Sequence, residues 1–172
     1  MSNNPCVHFI LTGGTIDSYY DGIKDTVIPY IDSIIPQYIQ SLKLYIDTEF
    51  EQICMKDSRD LTVDDMESIK QTIEKSPHKY FVITHGTYTM PDTARYLKEN
   101  LKKDGAVVIL TGSMTPLSIN NSGAGFNLGF SIAQLFNLNS GIYVSMNGKI
   151  FDPAEVAKLI SEGRFISIFS KR

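Results

Sequence analysis

The sequence predicts an α/β domain in three layers, a doubly wound and mostly parallel sheet with helices on both faces. Three observations predict it. Short apolar runs rich in Val and Ile alternate with segments whose apolar residues recur at helical spacing. The chain has 172 residues, the size of one domain. No repeat, linker or low-complexity tract interrupts it.

The elements follow in order. "CVHFILT", "KLYIDTEFEQI", "YFVIT", "AVVILT" and "GIYVSM" read as strands. "TVDDMESIKQTIEKSP" reads as a helix: Val63, Met66, Ile69 and Ile73 share a face, Thr62 and Asp65 form a capping pair, and Pro77 stops it. "TMPDTARYLKENLKKDG" reads likewise, with Thr89 as cap, Asp92 three residues on, and Lys102, Lys103 and Gly105 at its end. "FNLGFSIAQLFNL" is apolar on nearly every side and reads as a helix buried against a sheet or a second subunit. Asn147 and Gly148 signal a hairpin into "KIF". "DPAEVAKLISEG" then reads as a helix, with Asp152 as cap, Pro153 at its first position and Glu155 completing the box.

Composition excludes several functions. A domain of this size buries about 70% of its unfolded surface and needs no disulfide or metal staple. Cys6 and Cys54 are too few for a disulfide framework, lack metal-ligand spacing, and read as small core residues in a reducing cytosol. "MSNNPCVHFIL" has no basic leader and breaks at Thr12, Gly13 and Gly14, so a soluble cytoplasmic protein is expected. The net charge is -3, with Lys and Arg scattered singly and Lys171 and Arg172 as a solvated tail, which argues against a nucleic-acid partner.

In a doubly wound sheet, ligands bind beyond the carboxyl ends of the strands. There the sequence places Thr12 to Thr15, Asp57 to Asp60, Thr84 to Thr87, and Thr111 to Met114. Glycines let a ligand approach the backbone and leave amides for an oxyanion, while hydroxyls attack or donate. Each Thr–Gly pair alone is a common cap or turn; the convergence carries the argument. "TGGTI" lacks the spacing of dinucleotide and phosphate loops, although a flavin at such a loop stays open. His85, on a glycine turn, reads as a structural hydrogen-bonding group rather than a base, and His8 and His78 as structural or solvated. No cluster has metal-ligand spacing. What remains is nucleophilic chemistry by a threonine on a carbonyl, or a plain binding cleft.

"TGGTI" (12–16), "THGTYTM" (84–90) and "LTGSMTP" (110–116), in this order, resemble the signature stretches of the type I/II bacterial L-asparaginase family. "DSRDLT" (57–62) is similar to its substrate-binding turn and "FDPAEVAKL" to the stretch with its catalytic lysine. The resemblance covers the chain and implies the family's larger N-terminal domain alone, of flavodoxin-like or Rossmann-like build, over 1–172 without the smaller C-terminal domain. It implies Thr15 as nucleophile, Thr87 and Lys158 as a catalytic pair, Ser58 as holder of the substrate carboxylate, and Tyr20, or Tyr19, as the tyrosine of a mobile lid "SYYDGIKD". Gly14, Asp57, Arg59, Gly86, Tyr88 and Ser113 complete the implied substrate site, with amides at Gly14, Thr87 or Ser113 facing the oxyanion.

The implied activity is hydrolysis of L-asparagine or a related amide through a threonyl ester, without cofactor, by a homodimer or homotetramer. The alternative is a weak or silent domain that binds an amide, carboxylate or flavin. One departure favours it: Tyr88 stands where the family has an aspartate for the substrate ammonium, unless Asp57 or Asp60 reaches across. Arg59 likewise replaces a glutamine common in longer members.

Overall fold

The computed structural model describes residues 4–169, so Lys171 and Arg172 lie outside the described residues. In chain order the elements are β1 (Cys6–Gly13), a hairpin of β2 (Ser18–Asp21) and β3 (Thr26–Pro29), α1 (Ile35–Ser41), β4 (Asp47–Lys56), α2 (Val63–Lys75), β5 (Tyr80–Thr84), α3 (Met90–Asn100), β6 (Val107–Thr111), α4 (Ala124–Leu135), β7 (Gly141–Met146), β8 (Lys149–Phe151), and a last hairpin of β9 (Val156–Leu159) and β10 (Arg164–Ser167). Six of them form one sheet in the order β4-β1-β5-β6-β7-β8. Its first five strands run parallel and β8 returns antiparallel. Asn147 and Gly148, at φ 51 and 79, make the expected turn between β7 and β8.

Alternation along the central strands splits the core in two. Ile10, Phe81, Ile83, Val108 and Leu110 meet Ile69 and Ile73 of α2 and Ala94 and Leu97 of α3 on one face. Val7, Phe9, Leu11, Val82, Val107 and Ile109 meet Ile35 and Ile39 of α1 and Ala124, Leu128, Ile132 and Leu135 of α4 on the other. Most of these side chains are wholly buried, each contributing about 1.5–3 kcal/mol, and the three expected layers result. Among the described residues, no helix is long and apolar enough to cross a membrane.

Local expectations hold at α2, where Thr62 and Asp65 form both bonds of the capping box. They fail at four places. The second strand is β4, starting at Asp47 and running to Lys56, because residues 43–46 turn away through Lys43 at φ 49. Helix α3 ends at Asn100, before Lys102, Lys103 and Gly105, and Lys103 reaches back to the Ser76 carbonyl at 2.6 Å. Helix α4 buries one face only: Phe126 is 60% and Phe136 40% exposed.

The last failure is the largest, since 152–163 form no α-helix. Asp152 does cap locally, accepting from Ala154 N at 2.8 Å, but Glu155 leaves the box and accepts from Ser167 Oγ at 3.0 Å. The chain then extends as β9 and pairs antiparallel with β10. Val156 and Phe165 pack into the α2/α3 core, so tertiary burial overrides the local helix signal.

Candidate functional site

The strand order places β1 between β4 and β5, so the connection from β1 runs one way and the connection into β5 runs back over it. The crevice at the carboxyl ends of β1 and β5 is therefore the topological switch point, where open α/β sheets bind ligands. Thr15 and Thr87 both stand there, just after β1 and β5.

Backbone contact draws the loops together. Gly14 has φ 76, and a Cβ on it would sit 2.3 Å from Gly86 N. A Cβ on Gly86 would in turn lie 2.6 Å from Ser58 Cβ. Neither position has room for a Cβ. Gly14 N also donates to Lys56 O at 2.8 Å, which fastens the end of β1 to the end of β4. Ser58 is buried; its Oγ accepts from Tyr88 N at 3.3 Å and Thr89 N at 3.4 Å, leaving its own proton for a ligand. Thr89 occupies the N-cap position of α3, but its hydroxyl donates to Ser58 O at 2.6 Å instead of capping.

Lys158, on β9, donates from Nζ to Thr87 Oγ1 at 2.8 Å. Its pKa is lowered, first by burial and then by Arg59, while Asp57 opposes the shift. The Lys158 Nζ lies 4.0 Å from the Tyr88 ring centroid, and the Arg59 guanidinium lies 4.9 Å from it. Asp57 is already engaged: it accepts from Arg59 Nε at 3.0 Å, Nη2 at 2.9 Å and the Arg59 amide at 2.9 Å. That pairing holds its carboxyl below the usual range. Asp60 is exposed on the same turn. Thr15 is half-buried, and among the described residues its hydroxyl has no hydrogen-bond partner.

Thr15, Thr87, Lys158, Ser58, Asp57, Arg59, Gly14, Gly86 and Tyr88 thus fall in one neighbourhood. The hydroxyls of Tyr20 and Ser113 are engaged elsewhere. Tyr20 lies on the β2–β3 hairpin, 55% exposed, and donates to Asp25 at 2.5 Å, a bond that pushes its phenol pKa up rather than down. Tyr19 packs on Tyr30, with ring centroids 5.2 Å apart. The expected lid segment forms β2 and the turn of this hairpin. Ser113 is buried and donates to the Thr115 carbonyl, so its hydroxyl serves its own loop.

His85 matches its structural reading. Buried completely, it donates from Nδ1 to Gly86 O at 2.7 Å and accepts at Nε2 from Thr93 Oγ1 at 2.9 Å. Burial pushes its pKa down to about 4, so it is neutral at pH 7. Cys6 and Cys54 are only partly buried, less so than core residues.

Two supporting residues escaped the sequence reading. Asp17, wholly buried, accepts from Ser33 Oγ and from Ile34 N at 2.9 Å, tying the turn that carries Thr15 to the start of α1. Burial raises its pKa despite those bonds. Asn127 donates to Gly112 O at 2.8 Å and accepts from Asn147 N at 2.9 Å, bridging the loop after β6 to the β7–β8 turn. A lone Asn inside an apolar helix was the available signal for the second.

Fold and cleft together define a parallel α/β domain with two threonines and a partly desolvated lysine at its switch point. Residues 6–166 match the family model described as "Asparaginase, N-terminal", and the chain belongs to the asparaginase family through that domain. It is 29% identical over 166 residues to L-asparaginase 2 of Escherichia coli strain K12, covering 90% of this chain and 46% of that protein. It is 32% identical over 117 residues to an L-asparaginase of Thermococcus kodakarensis, covering 67% of this chain and 36% of that protein. The structure of the thermostable L-asparaginase from Thermococcus kodakarensis superposes with a TM-score of 0.81 at 27% identity, over 94% of this chain and 51% of that one. The chain thus spans about half the length of these relatives.

The glycine stack is testable. Gly14→Ala should lower unfolding free energy by about 2 kcal/mol or more, because both its φ and the Gly86 contact reject a Cβ. Urea unfolding measures this, and an unchanged midpoint would mean that the loops part without cost.

Proposed function

We propose that this domain is an amidohydrolase of asparaginase type, with L-asparagine first among substrates and a related small amide next. The carrying observation is the Lys158–Thr87 bond at 2.8 Å, beside the Gly14–Gly86 contact that Thr15 flanks. Thr15 Oγ attacks the amide carbon while its proton passes toward the Thr87–Lys158 pair. Amides of the glycine-backed loops face the developing oxyanion, each worth about 3 kcal/mol when well aimed. The tetrahedral intermediate expels ammonia, which takes that proton, and leaves an ester on Thr15. Water then attacks the ester and releases the acid. A threonine hydroxyl is a weak nucleophile until its proton is taken, and a neutral lysine can take it. Lys158, with its lowered pKa, is suited to that role.

A silent binding domain is the second reading, favoured by Asp57 being bound to Arg59 where a substrate ammonium would need it. Assembly as a homodimer or homotetramer is part of the proposal. It is supported by the outward face of α4, where Phe126 and Phe130 stack with centroids 6.0 Å apart and Phe126 is largely exposed.

A panel of small amides assayed for ammonia release separates enzyme from binder. On any active substrate, Thr15→Ala should leave less than about a tenth of wild-type kcat with unchanged unfolding; a larger residue of activity overturns the assignment of the nucleophile.

The pH profile tests the lysine. Because its free-amine form is the active one, kcat/KM should rise with pH through an ionisation below 10.5, the ordinary lysine value. Asp57→Asn should move that ionisation further down, since Asp57 is the group opposing the shift. An unmoved profile would show that another group titrates.

Tyr88→Asp should raise kcat/KM for L-asparagine about tenfold or more, because a charge-assisted bond to the substrate ammonium contributes roughly 1.5–3 kcal/mol. Amides without the ammonium should change little. An equal gain on both would show that the new carboxylate orders the catalytic groups rather than recognising the ammonium.

A further inference from the structure

The amino ends of the strands, at the edge opposite the threonine cleft, gather a second set of reactive side chains. β1 and β4 pair in parallel with Cys6 beside Asp47 and His8 beside Glu49. Side chains alternate along a strand, so Cys6 and His8 share one face of β1, and Glu49 and Glu51 share that face of β4. The loop between α2 and β5 adds His78. Its Nε2 lies 2.6 Å from Glu49 Oε2, and its ring meets that of His8 edge to face at 5.8 Å. One donor atom each from Cys6, Glu49 and His78 lie within 4.8 Å of one another.

His8 provides an independent sign of a ligand. It is 2% exposed, and its Nε2 is buried without a hydrogen-bond partner, 3.8 Å from Glu51 Oε2. Nδ1 lies 3.0 Å from Ser76 Oγ, and with the proton on that side Nε2 turns a lone pair toward a carboxylate. In that tautomer the buried Nε2 and the half-exposed Glu51 carboxylate are two acceptors without a donor between them, and a cation with its bound water supplies one. His8, Glu49 and Glu51 line a cleft of about 400 Å³, ample for an ion and a water.

We propose that Cys6, Glu49 and His78 bind a divalent transition-metal ion, zinc in the first place, with His8 Nε2 accepting a hydrogen bond from water on the fourth position. One thiolate, one imidazole and one carboxylate form a donor set that suits tetrahedral zinc with an open site. Bonds of about 2.0–2.3 Å set tetrahedral donors roughly 3.3–3.8 Å apart, so Glu49 must open slightly from His78 while Cys6 closes in. Glu49 is half-exposed and free to make that rotation. On binding, Cys6 releases its thiol proton to solvent, and His78 coordinates through Nε2 as the neutral tautomer with its proton on Nδ1. Affinity therefore rises with pH. The ion would join β1, β4 and the α2–β5 loop, independently of any chemistry in the threonine cleft.

The probes are cobalt(II) and zinc(II), added to the reduced full chain near neutral pH. One equivalent of cobalt(II) should give a thiolate-to-metal charge-transfer band with tetrahedral d–d absorption, both removed by zinc(II). Cys6→Ser should abolish the charge-transfer band. His78→Ala, at a half-buried loop position, should weaken zinc binding by about a hundredfold, at or beyond the 10- to 100-fold typical of losing an outer partner. Cys54→Ser, which removes the other thiol, should change neither. An octahedral spectrum without the band, a band that survives Cys6→Ser, or one lost with Cys54 would overturn the site.

Discussion

The backbone of Gly14 approaches Gly86 so closely only because Gly14 carries no side chain. The rest of the cleft is arranged around that contact. It puts the end of β1 directly against the turn after β5, and Ser58 closes on Gly86 from the far side. The neighbouring residues are then fixed by covalent geometry: Thr15 must follow Gly14, and Thr87 must follow Gly86. His85 reinforces the turn by bonding the Gly86 carbonyl, and its burial keeps it neutral, so it adds rigidity without adding charge. Asp17 acts similarly on the other side, anchoring the segment just after Thr15 to the start of α1.

Within this frame the balance of charge is unusual. Lys158 and Arg59 both face Tyr88, and the nearest carboxylate, Asp57, gives both of its oxygens to Arg59. An aromatic face offers a cation about 0.5–2 kcal/mol, somewhat less than the roughly 1.5–3 kcal/mol of a charged hydrogen bond. Tyr88 therefore holds the protonated lysine less firmly than a carboxylate would. Burial and Arg59 already disfavour that form, so the free amine is easier to reach. A ring in place of a carboxylate at position 88 thus favours the free-amine form of Lys158.

How much of this was legible depended on the range of the interactions. The layers followed from alternating periods, and the α2 cap and the Asn147–Gly148 turn from chemistry within a few residues. The cleft was legible because glycine and hydroxyl runs sit at strand ends, which a parallel sheet brings to one edge. Residues 152–163 misled for the opposite reason: their caps and period favour a helix locally, while burial of Val156 and Phe165 against a distant core decides for a hairpin. The partner of Tyr20, Asp25, lies across a turn that its sequence distance from Thr15 does not register. The neighbours of Cys6 and His78 share no local spacing; β1–β4 register alone brings Cys6 toward Glu49.

The misread hairpin also sets a limit on how the lysine is held. Lys158 meets Thr87 across 71 residues of sequence, from a two-stranded ribbon outside the main sheet. Two-stranded ribbons are marginal alone, so its position depends on docking. Val156 and Phe165 supply the buried apolar surface, Arg95 donates to Val156 O at 2.8 Å, and Lys98 holds Asp152 at 2.7 Å just before the ribbon. Ile168 N bonds Glu155 O at 2.8 Å and closes its far end. These ties are fewer than those of the central strands, so the ribbon can open at lower free energy than the sheet. Opening would carry Lys158 away from Thr87 while leaving the Gly14–Gly86 contact whole. Thr15 and the glycine-backed amides thus belong to the sheet edge, and Lys158 to an element held by fewer ties.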